Sequence, residues 1–128
     1  MDENMKVPRD LLYTNDHTWI FQEGEEGTIG LTDFGQTELA EIVYIDLPDL
    51  GSEVVQGSSF GTIEAMKTVA ELISPASGEV LEVNETLESD PRQVNIDPYG
   101  EGWMIKIKIT DPVEVETLLS AEQYQALL

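Results

Sequence analysis

The stretch Gly61-Thr-Ile-Glu-Ala-Met-Lys-Thr-Val-Ala-Glu-Leu-Ile-Ser74 decides the fold of this chain. β-branched and aliphatic residues lie on both sides of Met66 and Lys67, and such runs are typical of β-strands. No glycine or asparagine separates the two runs, although hairpin turns that need positive φ prefer those residues. The stretch therefore predicts a β-hairpin with a type I turn and with Lys67 at its tip.

Lys67 is also far from any other basic residue in the sequence. The chain has 6 basic residues, and none besides Lys67 lies between Arg9 and Arg92. A lysine in a loop is most often a solvated charge and nothing more. At a hairpin tip whose residues are poor turn formers, in a chain this short of lysine, the position indicates a functional group.

The residues around Lys67 resemble the attachment site of lipoyl and biotinyl carrier domains. The run Glu64-Ala-Met-Lys67 precedes a proline, and Gly78 lies eleven residues after the lysine, as a glycine does in those domains. The resemblance implies that a cofactor is joined to Lys67 by an amide. Ala65-Met66-Lys67 is similar to the biotin motif Ala-Met-Lys-Met, whereas Thr68 departs from it, so this run leaves lipoate and biotin both open.

Composition narrows the class of protein. A chain of 128 residues fits one domain with a sizeable core. Its 26 acidic residues give a net charge of −20, which excludes nucleic-acid binding through phosphates and disfavours anionic membranes. Without cysteine the chain has no disulfide, thiolate nucleophile or cysteine zinc site. Because His17 is its one histidine, a multi-histidine metal site is excluded too.

Targeting signals are not evident in the sequence. Residues 1–9 lack the apolar core of a signal peptide, and no apolar run approaches the length of a membrane span. We expect a cytoplasmic protein, with a mature organellar form as the alternative.

Short apolar runs separated by turn residues predict a mainly β fold. Strands are expected at 19–21, 28–31, 42–47, 54–55, 60–63, 68–73, 80–83 and 103–109. Near 32–39 the apolar residues no longer alternate with polar ones, which indicates a short helix capped by Thr32 or Asp33. Residues 85–93 are predicted to be a polar loop.

The C-terminal segment predicts a second helix near 112–127. Asp111, Pro112 and Glu114 fit the N-cap, N1 and N3 positions of a capping box. The apolar residues expected on its buried side are Val113, Leu118 and Leu119. Ser120 and Gln123 allow the helix to restart.

Several further blocks, spread over nearly the whole chain, resemble the glycine-cleavage H-protein family. They are Tyr13 with His17-Thr-Trp19, Ile29-Gly-Leu-Thr-Asp33, Ile42-Val-Tyr-Ile-Asp-Leu-Pro48, Asn95 with Asp97-Pro-Tyr-Gly-Glu-Gly-Trp103, and Ile105-Lys-Ile-Lys-Ile109 before Asp111-Pro112. This resemblance favours lipoate over biotin. It implies a flattened β-sandwich of the lipoyl/biotinyl type, or barrel-sandwich hybrid, over residues 11–128, with residues 1–10 as an N-terminal tail.

The resemblance implies a carrier and not an enzyme, and we expect the protein to be a monomer. Lipoate on Lys67 would shuttle the aminomethyl group of glycine between glycine decarboxylase, aminomethyltransferase and dihydrolipoamide dehydrogenase. A lipoate ligase or lipoyl transferase would attach it. The alternatives are an H-like relay that donates lipoate to other enzymes, and a biotin carrier.

The family also implies roles for residues near the lysine. Glu64 is expected to mark the hairpin for the modifying enzyme. The family usually shows Ser-His-Glu-Trp where this chain has Asp16-His17-Thr18-Trp19, and that glutamate is associated with sheltering the loaded arm. The arm cleft is therefore expected at Asp16, Thr18 and Glu71. Because Thr18 carries no charge, the carboxylate is expected to come from Asp16 or Glu71. His17 is expected to be a structural hydrogen-bonding residue.

Overall fold

The computed structural model describes residues 5–128, which form two antiparallel β-sheets. The strands are β1 (Leu12–Tyr13), β2 (Thr18–Glu23), β3 (Glu26–Leu31), β4 (Ile42–Asp46), β5 (Glu53–Val54), β6 (Ser59–Ala65), β7 (Val69–Ile73), β8 (Gly78–Val83) and β9 (Ile105–Ile109). The large sheet has the order β1-β2-β3-β9-β8-β5, and the small sheet has the order β4-β6-β7. The predicted mainly β sandwich is confirmed.

Short helices connect the strands. They are α1 (Asp33–Leu39), α2 (Thr86–Ser89), α3 (Gln93–Ile96), a 3₁₀ helix at Pro112–Thr117 and α4 (Ala121–Gln125). The helix expected near 32–39 is confirmed as α1, and Thr32 caps it by accepting from the Gly35 N–H. Within residues 5–128, no helix has the length and apolar character that a membrane span requires.

Apolar side chains that alternate along the strands fill the space between the sheets. In the large sheet Ile20, Ile29 and Ile105 lie opposite one another on β2, β3 and β9, and all three are fully buried. In the small sheet Ile63 lies between Ile45 and Ala70 and faces the same core. These cross-strand rows fix the register, because a slip by one residue would turn each apolar row towards water.

The prediction of a polar loop at 85–93 is wrong. Residues 86–89 form α2, and Gln93 begins α3. Each helix buries one apolar side chain, Leu87 in α2 and Val94 in α3. Helices of four residues show no apolar period, and their polar composition therefore hid them.

The C-terminal helical segment is present in two pieces, the 3₁₀ helix and α4, separated by an extended Leu118. Asp111 caps the first piece by accepting from the Val113 N–H. The prediction of a capping box at this position is wrong. The Glu114 carboxylate instead accepts from the Ser77 N–H at 2.8 Å and from the Ser77 hydroxyl at 3.0 Å. A complete capping box joins Ser120 and Gln123.

The expected apolar stripe of the C-terminal segment also changes. Val113 is exposed, and Val115 is buried in its place. A 3₁₀ helix advances by three residues per turn, so its buried side differs from that of the α-helix expected from the sequence.

A second apolar cluster lies beside the large sheet and holds the N-terminal residues. It centres on Tyr13, Trp19 and Tyr124, with the rings of Tyr13 and Tyr124 stacked at 4.7 Å. The Tyr13 hydroxyl donates to the Pro8 carbonyl at 2.6 Å, and the Tyr99 hydroxyl donates to the Lys6 carbonyl at 2.7 Å.

Part of the predicted tail at 1–10 therefore lies against the domain. Residues 1–4 of that tail lie outside the described residues, and the domain boundary at residue 10 stays a prediction.

Candidate functional site

The hairpin of β6 and β7 presents Lys67 to solvent. Glu64 and Val69 form its last strand pair, and the Ala65 N–H donates to the Thr68 carbonyl at 2.8 Å. Met66 and Lys67 lie between these residues, and both are exposed. Neither has positive φ. The hairpin tip can therefore carry ordinary side chains, as the sequence predicted.

A network of hydrogen bonds supports the base of the tip. The Met66 N–H donates to the Glu41 carbonyl at 3.1 Å. Asn95 contacts the residues on both sides of Glu41, since its Nδ2 donates to the Ala40 carbonyl at 2.7 Å and its Oδ1 accepts from the Ile42 N–H at 3.0 Å.

The supported segment includes an unfavourable backbone conformation. Ala40 has φ of 62°, and such a conformation costs about 1–3 kcal/mol in a residue with a side chain. The Asn95 contacts offset part of that cost. Sequence reasoning used Asn95 only as part of the family resemblance and missed this support, because its partners lie more than fifty residues away.

Glu64 lies on the outer face of the small sheet, between Tyr44 on β4 and Val69 on β7. It is partly exposed, and no ion pair within residues 5–128 engages its carboxylate. Its position three residues before Lys67 therefore leaves it available to a partner that covers the tip.

Gly78 has a structural reason to be glycine. It lies in β8, opposite Val54 of β5 and Ile109 of β9. A Cβ atom at this position would collide with the backbone carbonyl oxygen of Lys108, and it would lie 3.0 Å from Cδ1 of Ile107. Close packing of three strands thus accounts for this part of the motif.

Thr18 is fully buried at the start of β2. Its hydroxyl donates to the Ile73 carbonyl at 2.9 Å and lies 2.8 Å from the Thr14 hydroxyl, which is then the donor of that pair. Thr18 therefore joins the large sheet to the end of β7. In this structure it presents no surface to a cleft.

The other two predicted cleft residues are separated. Asp16 is exposed and lines a cleft of about 520 Å³, whose apolar wall includes Tyr13, Ile73 and Leu127. Glu71 is exposed on the outer face of the small sheet, opposite Thr62. Asp16 thus lines this surface cleft, whereas Glu71 and Thr18 do not, and the role of these three residues as an arm cleft stays a prediction.

Sequence reasoning missed the apolar wall of this cleft. One available signal was the alternation along β7, which places Ile73 on the same side of the strand as Glu71. Leu127 offered no such signal, because its position depends on the packing of the C-terminal segment.

His17 has a structural setting. Its Nδ1 lies 2.7 Å from the Tyr124 hydroxyl, and its ring packs on Phe34. Burial lowers the pKa of His17, although the charges of Asp16 and Glu38 oppose that shift. Burial also raises the pKa of Tyr124 to about 12, against the opposing effect of its hydrogen bond with Thr32.

The hydrogen bonds of His17 and Thr32 therefore attach α4 to the loop before β2 and to the N-cap of α1. A neutral imidazole and a neutral phenol suit this role, because both are partly buried and share one hydrogen-bond network. The expectation of a structural hydrogen bond at His17 agrees with these contacts.

Comparison with known proteins gives a consistent result. Residues 11–128 match the sequence profile described as Glycine cleavage H-protein. A protein of Bacteroides thetaiotaomicron named glycine cleavage system H protein is 48% identical over 124 residues, which cover 97% of this chain and 98% of the relative. A protein of the same name from Carboxydothermus hydrogenoformans is 49% identical over 122 residues, covering 95% and 94%.

A solved structure agrees with the sequence relatives. The crystal structure of a glycine cleavage system H protein from Mycobacterium marinum superposes with a TM-score of 0.87 at 37% identity, and it covers 94% of this chain and 98% of that one.

Proposed function

The chain belongs to the glycine cleavage H-protein family, and on that premise we propose that it is a lipoyl carrier with lipoate attached at Lys67. The observation that carries the assignment to Lys67 is its place at the exposed tip of a supported hairpin. In the described residues no ion pair engages its ammonium group. The side chain therefore fits amide formation, which needs an accessible and unpaired amine.

The cofactor and the protein have different roles in such a carrier. Bound lipoate supplies a dithiolane that accepts and releases groups at sulfur, while the protein supplies attachment and orientation. Lys67 holds the arm at the hairpin tip, and the hydrogen bonds that support the tip determine where the arm starts. After docking, such a tether raises the effective concentration of the arm at a partner's active site.

The partners of this carrier lie within the glycine cleavage system. We propose that it shuttles the aminomethyl group of glycine between glycine decarboxylase, aminomethyltransferase and dihydrolipoamide dehydrogenase, and that a lipoate ligase or lipoyl transferase modifies it. We also propose that it is a monomeric, cytoplasmic carrier without catalytic activity of its own.

A second candidate function is the lipoyl relay. Buried Thr18 occupies the position where the family usually has a glutamate, and a carrier that never holds a cationic group does not need that charge. Biotin remains the least favoured cofactor, because Thr68 departs from the biotin motif.

Reconstitution separates these candidates. Lipoylated protein is mixed with glycine and glycine decarboxylase, and its intact mass is measured. The glycine-cleavage carrier gains the mass of the aminomethyl group only when both are present. A chain that gains no mass under these conditions, yet supplies lipoate to other apo-proteins through a lipoyl transferase, is a relay.

Glu64→Ala is expected to slow lipoylation of the folded protein about tenfold. The Glu64 carboxylate is available beside the tip, and a charge-assisted hydrogen bond to a partner contributes more than a neutral one. The measurement is the initial rate of modification by intact mass spectrometry, with melting temperature as the folding control. Equal rates for Glu64→Ala and the unchanged chain would remove Glu64 from the recognition site.

Asp16→Asn is expected to speed the loss of the aminomethyl group from loaded protein about tenfold, because the cationic group loses a carboxylate partner. Glu71→Gln should give a smaller increase, since Glu71 does not line the cleft. Release of formaldehyde and ammonia is followed without the transferase. If both variants release these products at the unchanged rate, charge does not shelter the arm of this protein.

A further inference from the structure

The outer face of the small sheet carries exposed apolar side chains beside Lys67. Tyr44 and Val69 lie in one row across β4, β6 and β7, with Glu64 between them. Val43 at the bulge of β4 and Met66 at the hairpin tip are also exposed. We call Val43, Tyr44, Met66 and Val69 the apolar strip. Exposed apolar groups that lie together usually mark an interaction surface, whereas single ones do not.

Carboxylates frame this strip. The next row across the small sheet, away from the tip, contains Asp46, Thr62 and Glu71. On the other side of Tyr44, a groove of about 410 Å³ is lined by residues that include Asp46, Asp49, Glu85 and Glu88. A partner that fits this surface has an apolar centre with lysine and arginine side chains around it.

The position of the strip restricts which partner covers it. An enzyme that acylates Lys67 must bring its active site to Nζ of the lysine itself, so it must cover the residues next to the tip. Enzymes that react with the far end of a long arm can dock elsewhere, because the arm reaches to them. Met66 is the neighbour of Lys67, and Val69 is two residues further on, in the last strand pair.

We infer that the apolar strip is the docking surface for the enzyme that attaches lipoate to Lys67. This inference rests on the proposed function, since it takes Lys67 to be lipoylated. The apolar centre supplies the contact that excludes water around the lysine, and the surrounding carboxylates orient the basic partner. The strip thus adds to Glu64, which lies within the same row, a recognition surface made of side chains rather than of the hairpin shape alone.

The chain offers a matched pair of variants for the test. Val43→Thr with Val69→Thr removes apolar surface from the strip, where these residues are 44% and 61% exposed. Val55→Thr with Val113→Thr makes the same chemical change outside the strip, at residues that are 55% and 64% exposed. Tyr44→Ser serves as a second strip variant. Thermal unfolding of all variants checks that each is folded.

The experiment measures the rate of acylation of the apo-protein by lipoate ligase with lipoate and ATP, by intact mass. The strip pair and Tyr44→Ser should each lower kcat/KM at least tenfold, mainly through KM, because an apolar contact that becomes a hydroxyl without a partner weakens binding by about that factor. The control pair should stay within about twofold of the unchanged chain. Reduction of the lipoyl disulfide of fully lipoylated protein by dihydrolipoamide dehydrogenase, with NADH as the electron donor, should be equally fast in all of them.

Each other outcome has a defined meaning. Equal acylation of the strip variants and the control pair overturns the inference and leaves the proposed function standing. Normal acylation with slow reduction assigns the strip to an enzyme that acts on the arm, which also overturns it. Failure of the unchanged chain to accept lipoate on Lys67 overturns the proposed function itself.

Discussion

Lys67→Arg is expected to abolish lipoylation completely and to leave the fold unchanged. A guanidinium group stays charged at all relevant pH values and is not acylated in place of an amine. Lys67 is exposed at the tip, and within residues 5–128 it makes no ion pair. Its replacement by another cation should therefore shift the melting temperature by less than about 2 °C, in line with other surface substitutions.

The measurement is the intact mass after exhaustive incubation with lipoate ligase, lipoate and ATP. Lys106→Arg is the matched control, because Lys106 lies within β9 and near Glu82, away from any hairpin tip. The control should accept one lipoyl group, as the unchanged chain does. A lipoyl group found on Lys67→Arg would show that another lysine is the acceptor.

Gly78→Ala should have the second-largest effect, and it should act on stability. The new methyl group would collide with the Lys108 carbonyl oxygen, which is backbone and cannot rotate away. Overpacking of this kind costs about 3 kcal/mol and should lower the melting temperature by about 10 °C in a domain of this size. Glu79→Ala, at the exposed next residue of β8, should change it far less.

Acylation kinetics distinguish two explanations for this glycine. If Gly78 serves the packing of the large sheet, folded Gly78→Ala protein is lipoylated at the normal rate per folded molecule. An unchanged melting temperature together with slow lipoylation would instead mean that the modifying enzyme reads this position directly.

Local patterns predicted the parts of the fold that depend on neighbouring residues. The apolar runs around Lys67 predicted the hairpin, and the isoleucines of β9 predicted a strand with one buried face, as observed. The failures involve distant contacts. Glu114 fits a capping box by its spacing, but Ser77, thirty-seven residues earlier, takes its carboxylate. Leu87 and Val94 are each the one buried side chain of a short helix. A single apolar residue produces no helical periodicity in the sequence.

The candidate site likewise has features that depend on neighbouring residues and features that depend on distant contacts. The position of Lys67 at a hairpin tip followed from local sequence. The burial of Thr18 did not, since its hydroxyl bonds to Ile73 across fifty-five residues. The apolar strip requires the pairing of β4 with β6, and only that register places Tyr44 beside Glu64.

The contacts of Asn95 beneath the hairpin tie its tip to the rest of the domain. Because the peptide that accepts from the Met66 N–H is held on both sides, we expect the rotatable bonds of the Lys67 side chain and its attached group to supply most of the motion of the arm. The free end of the arm then moves within a volume that is centred on the hairpin tip and bounded by the extended length of the arm. Effective concentration falls steeply as a tether lengthens, so an arm that starts from a supported tip stays concentrated near whichever active site the carrier has reached.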